Sequence, residues 1–145
     1  MMKILFSAFS FFYIACIFIL AGSPVAETLS EYNPYSLLHI PLYGILTLLL
    51  AFSVVPIRGW PKPPSIRQIR NSNVPGARAR AGLKLPLFSV GGIAFAVGIL
   101  DEVHQLYVPG RDASVGDIGL DFVGIVLALI FLFGLFGTGV LQLKE

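Results

Sequence analysis

Between residues 101 and 121 the chain reads Asp-Glu-Val-His-Gln-Leu-Tyr-Val-Pro-Gly-Arg-Asp-Ala-Ser-Val-Gly-Asp-Ile-Gly-Leu-Asp, and the flanking segments on both sides are strongly apolar. Carboxylates beside imidazole are the groups used for proton transfer and for holding metal ions. A planar guanidinium such as that of Arg111 suits bidentate recognition of a phosphate or carboxylate. A charged side chain toward the middle of a bilayer costs at least ~2.5 kcal/mol, so such groups usually face a bundle interior or a water-filled cavity and mark a functional site.

The elements that must position these groups are helices. Of the 145 residues 56% are hydrophobic and only 12% charged, with mean hydropathy +0.83, too apolar for a soluble domain. An uncharged run at 4–22 has nineteen residues, which as a helix spans about 28 Å, enough for the hydrocarbon core. Further helices are expected at about 37–55, 87–108 and 115–139, the third stopped by Pro109-Gly110. The expected fold is therefore all-α, a single 1–145 domain forming an integral membrane four-helix bundle, with a short outer loop between helices three and four. Cys16 stands alone in an apolar run, where a thiol behaves as a small hydrophobe, and it does not report on the redox compartment.

Charge fixes the expected orientation. Residues 56–84 carry Arg58, Lys62, Arg67, Arg70, Arg78, Arg80 and Lys84 with no acidic residue, and they are rich in proline. With four crossings, Lys3 and Lys144 fall on the same side as this linker, and the positive-inside rule makes that side cytoplasmic. Arg111 is the one basic residue left outside. The expected location is a bacterial inner membrane, multi-pass, with both termini cytoplasmic. The linker reads as a solvated loop that sets orientation, with attraction to anionic lipids as a second role. Its basic residues lack stacking aromatics other than Trp60, so no nucleic-acid partner is expected. A cleaved signal peptide ending near 21–26 is the rival reading of the N-terminus, but its apolar core exceeds the usual ~7–15 residues.

This topology brings polar residues to one depth. His39 lies near the outer start of helix two with Tyr43 at i+4, and Asp101, His104 and Gln105 share a face of helix three, with Glu102 displaced by about 100°. Asp117 and Asp121 open helix four beneath a loop carrying Arg111 and Ser114. Gly91, Gly92, Gly98, Gly119 and Gly124 would allow close backbone approach. Each polar group has a plainer reading: His39 as a hydrogen-bonded bundle histidine, Asp117 as a helix cap, Asp112 as a solvated loop charge. Asp101 and Asp121 lie deeper and are harder to assign to structure alone.

Taken together, Asp101-Glu-Val-His-Gln105, Val108-Pro-Gly-Arg111, Ser114, Asp117, Asp121 and Gly124, with His39 and Tyr43 in "LLHIPLYGIL", resemble the signature of the VanZ-like family of small bacterial membrane proteins. The resemblance runs from about residue 36 to 133, interrupted by the linker. Ser36 stands where the family is expected to have a basic residue, and Asp121 where it often has Asn, so this site carries more negative charge. The family is named for a protein associated with low-level resistance to the glycopeptide teicoplanin. The resemblance implies an envelope-facing site better than it implies a reaction.

Three functions are then open. An envelope lipid headgroup or amphiphilic antibiotic could bind at the site, with membrane lipids as partners. The site could instead modify an envelope lipid enzymatically, with metal assistance. Or the polar layer could fix helix register, or serve to modulate a partner membrane complex. No spacing matches a standard metal motif such as H-E-x-x-H, so catalytic residues, metal and cofactor are unassigned at this level. A four-helix protomer has little room for alternating access, and no inverted repeat is visible, so transport would require a homo-oligomer.

Overall fold

Lipid cannot hydrogen-bond a peptide group, so each apolar stretch closes its own backbone bonds as a helix. In the computed structural model, which describes residues 2–23, 28, 35–55, 57–58, 76–137 and 142–143, these are α1 (Met2–Ala21), α2 (His39–Val54), α3 (Gly76–Gln105) and α4 (Val115–Gly137). A 3₁₀ turn, Tyr35–Leu38, leads into α2. Four helical stretches are long and apolar enough to cross a membrane, Lys3–Ala21, Ser36–Val54, Leu83–Gln105 and Val115–Phe136, the second made of α2 with the 3₁₀ turn that leads into it. The chain is an all-α four-helix bundle of multi-pass membrane type.

Burial is inverted relative to a water-soluble bundle. Asp101, Glu102, Gln105, His39 and Asp121 are buried, whereas Phe11, Phe88, Ile130 and Phe131 stand exposed on the outside. Apolar side chains still fill the middle of the bundle, where Leu46, Leu83, Val90, Ala94 and Leu132 are wholly enclosed. The buried aliphatic hydroxyls of Ser10 and Thr47 are satisfied on their own helix, Ser10 Oγ donating to the Phe6 carbonyl at 2.8 Å and Thr47 Oγ1 to that of Tyr43 at 2.7 Å.

The helices alternate in direction. At one end Lys3 Nζ donates to the Val54 carbonyl at 3.1 Å, placing a cation at the negative end of the α2 dipole. A two-residue antiparallel pair, β1 (Ile57–Arg58) with β2 (Gln142–Leu143), joins the chain leaving α2 to the chain beyond α4. At the other end the start of α2, the end of α3 and the start of α4 converge, and the end of α1 lies against them through Phe18 and Gly22.

Two boundaries depart from expectation. Helix α3 starts at Gly76, inside the basic segment read as a linker, because the Ala-, Arg-, Lys- and Leu-rich residues 77–85 are good helix formers and Pro86 is accommodated within the helix. The remainder of that segment, 59–75, lies outside the described residues, as does the alternative cleavage site at 24–26. Helix α3 also ends at Gln105 instead of near 108. Tyr107 N and Val108 N bond to the carbonyls of His104 and Gln105, a tightened i→i+3 exit, and Gly110 takes φ 78°.

Helices α2 and α4 make the most extensive contact, and their backbones nearly touch. A Cβ on Gly124 would lie 2.2 Å from the Ile40 carbonyl oxygen, and one on Gly44 3.5 Å from the Gly124 carbonyl oxygen. Gly91 and Gly98 also face neighbouring helices, but a Cβ on Gly92 or Gly119 would meet nothing within 4 Å among the described residues, so these two do not serve the close packing expected of them there. Gly124→Ala is therefore expected to lower stability by about 3 kcal/mol, the upper range for overpacking, because a carbonyl cannot rotate away. Gly119→Ala should be neutral. Thermal unfolding of both variants in detergent checks this, and equal midpoints would refute the close contact.

Candidate functional site

Ser114 starts the site by starting α4. Its Oγ accepts from the Gly116 backbone N at 3.1 Å, so Ser114 is the N-cap and Asp117 sits within the first turn, where the helix dipole favours its negative charge. The cap expected at Asp117 is thus supplied by Ser114. The backbone N of Ser114 donates to Glu102 Oε2 at 2.7 Å, which fastens the end of α3 to the start of α4.

Gln105 is the centre of the network. Its Nε2 donates to Asp101 Oδ2 at 3.2 Å and to Glu102 Oε1 at 3.3 Å, and its Oε1 accepts from Arg111 Nη2 at 2.9 Å. The amide orientation follows from chemistry: ionised carboxylates only accept and a guanidinium only donates. Arg111 is half-buried and reaches the carboxylates of α3 through this amide.

His39 is 5% exposed. Its Nδ1 meets Asp121 Oδ1 at 2.8 Å, and since a carboxylate accepts, Nδ1 carries the proton. Nε2 is left facing Asp117 Oδ2 at 4.0 Å, beyond hydrogen-bond range. Tyr43, one turn deeper, lies parallel to the His39 ring at a centroid distance of 6.3 Å. Its hydroxyl, Asp101 Oδ1 and Asp121 Oδ2 are buried without a hydrogen-bond partner among the described residues. Asp121 can occupy this place only because residue 98 is glycine: a Cβ there would stand 2.7 Å from Asp121 Oδ2.

The structure brings together His39, Tyr43, Asp101, Glu102, Gln105, Arg111, Ser114, Asp117 and Asp121 from the sequence-derived set. His104 departs from it. Its ring packs edge-on against Phe18 of α1 at 5.4 Å, and Gly22 lies close by. The cause is angular. On a helical wheel Asp101, Gln105 and Glu102 fall at 0°, about 40° and about 100°, whereas His104 falls at about −60°. The arc enclosed between α2 and α4 is the former, so Glu102, placed off the face by the i, i+3, i+4 reading, is central, and His104 turns toward α1. Asp112 is exposed, as expected of a loop charge. Two partners escaped sequence reading altogether: Phe18, one of many aromatics in an apolar run, and Gly98 as the seat of Asp121, since pairing between helices has no local signature.

His39, Glu102 and Asp117 each offer one donor atom, and these atoms lie within 4.8 Å of one another. An imidazole and two carboxylates in that arrangement are a donor set for a divalent ion.

Gln105→Leu removes every bond that Gln105 mediates and leaves Asp101, Glu102 and Arg111 each short of a partner. Stability is expected to fall by about 1–3 kcal/mol for the unsatisfied groups. Asp112→Asn, on the exposed loop, should change it little; the difference is read from thermal unfolding in detergent.

Comparison with models of known families, with curated proteins and with solved structures gives no match, so the resemblance to the VanZ-like family rests on the motif residues themselves.

Proposed function

We propose that this is a VanZ-like protein of the bacterial inner membrane, with both termini cytoplasmic, whose outward-facing polar site binds an anionic headgroup, that of an envelope lipid or of an amphiphilic glycopeptide antibiotic. The observation that carries this reading is Arg111. It is the only lysine or arginine between residues 85 and 143, it is half-buried at the polar end of the bundle, and the Gln105 amide orients its Nη2. A guanidinium so held is suited to an oxyanion arriving from the adjacent interface, since little side-chain freedom is left to lose on binding. The basic residues of the opposite end support the orientation.

A second reading, a membrane-embedded enzyme that modifies an envelope lipid, draws support from the convergence of His39, Glu102 and Asp117. Turnover of labelled envelope lipids by the reconstituted protein would separate it from binding alone.

Arg111→Lys keeps the charge and loses the planar fork. Under the binding reading it should reduce affinity for vesicles containing anionic lipid, or for teicoplanin, by roughly tenfold or more, as expected when a charge-assisted bond worth ~1.5–3 kcal/mol is lost, with thermal stability nearly unchanged. Unaltered affinity would rule out oxyanion recognition by Arg111. For orientation, single cysteines replacing Arg70 and Ala113 in a Cys16→Ser background should label from opposite sides of intact cells; labelling from the same side would overturn the topology.

A further inference from the structure

We infer that His39, Glu102 and Asp117 form a binding site for one divalent transition-metal ion of the Mn²⁺ or Zn²⁺ kind. Three separate features of the structure converge on it. The first is the donor set, one nitrogen and two carboxylate oxygens within 4.8 Å, drawn from α2, α3 and α4. The second is the way His39 is held. Its Nδ1 donates to Asp121 Oδ1 at 2.8 Å, the arrangement in which a carboxylate fixes the tautomer of a metal-binding imidazole and raises its basicity. That bond leaves the Nε2 of a side chain only 6% exposed directed toward Asp117 Oδ2, which at 4.0 Å is beyond hydrogen-bond range, with no hydrogen bond to Nε2 among the described residues. The third is charge. Among the described residues, Asp101, Glu102, Asp117 and Asp121 share this layer with the Arg111 guanidinium and the His39 imidazole, and Asp101 Oδ1 and Asp121 Oδ2 remain buried without a hydrogen bond. A divalent cation offsets that excess where the dielectric makes it most costly.

The chemistry of the donors selects the ion. Mg²⁺ and Ca²⁺ favour all-oxygen sites, whereas imidazole with carboxylate suits Mn²⁺, Fe²⁺ and Zn²⁺, with Zn²⁺ above Mn²⁺ in affinity. Donors of a tetrahedral ion with bonds of ~2.0–2.1 Å stand about 3.3 Å apart, so the carboxylates would draw inward by about 1 Å. Glu102 lies in the last turn of α3 and Asp117 in the first turn of α4; the movement is a rotation of each side chain, which for Glu102 stretches the bonds its oxygens accept from Ser114 N and Gln105 Nε2. Three protein ligands leave a coordination position open, as in metal sites that act on a bound molecule. The site stands independently of any anion that Arg111 binds.

The test uses the full chain in detergent, stripped with a chelator and titrated with Mn²⁺ while the free-ion paramagnetic resonance signal is followed. Saturable loss of signal at one ion per chain is expected, together with coupling from one imidazole ¹⁴N in the pulsed spectrum and displacement by Zn²⁺. Asp121→Asn should weaken Mn²⁺ binding by about 10–100-fold through its effect on His39, and Asp112→Asn should leave it unchanged. Absence of saturable binding, or bound Mn²⁺ without nitrogen coupling, would overturn the site. Should Asp121→Asn fail to fold, the nitrogen coupling in the unsubstituted protein decides alone. Equal affinities in the two variants would refute the role of Asp121.

Discussion

A charge buried beside lipid must find its partners inside the protein, and this one requirement arranges the bundle. Asp101, Glu102 and Asp121 are buried, so their carboxylates depend on other polar groups of the bundle: Asp101 on Gln105 of its own helix, Glu102 on Gln105 and the Ser114 backbone, and Asp121 on His39. Two of these bonds are long-range in sequence: His39 to Asp121 across 82 residues, Ser114 to Glu102 across the α3–α4 turn. They gather at one end of the helices, which leaves the middle of the bundle to apolar packing and its outer surface to lipid.

Polar residues also do what apolar contact cannot do in a membrane, which is to distinguish one helix arrangement from another. Leucine on α2 gains little by facing leucine on α4 in place of a lipid tail, because both surroundings are equally apolar. A histidine facing an aspartate gains much more. The glycines then decide how near the helices come: Gly124 and Gly44 admit backbone contact between α2 and α4, and Gly98 opens the space that Asp121 fills. The polar layer and the specificity of folding are thus built from the same side chains.

Much of this was legible in the sequence because hydrophobic length and basic asymmetry are properties of single segments. Four helices, their order and the polar end of the bundle follow from runs such as 4–22 and from the placement of Lys3, the 56–84 segment and Arg111. The helix ends were less legible: α3 begins within residues that read as linker on account of their charge and proline, although most of 77–85 have good helix propensity. The members of the site were recognised by type, but their roles were not. The rotation of α3 that encloses Glu102 and turns His104 toward Phe18 depends on where α1, α2 and α4 sit around it, which no local spacing encodes.

His39 precedes Ile40 directly, and Gly124 follows Asp121 by less than one turn. The main-chain contact between Ile40 and Gly124 therefore lies immediately beneath the His39–Asp121 hydrogen bond. Main chain has no alternative rotamer, so the separation of these two side chains is set by the crossing of two helices and not by packing that could relax. A substitution such as Asp121 to Asn alters the charge of the site while leaving its dimensions in place. Altering the dimensions requires a new helix crossing. A lineage of such proteins can thus diversify readily in the sign and strength of what it holds, and only with difficulty in its size.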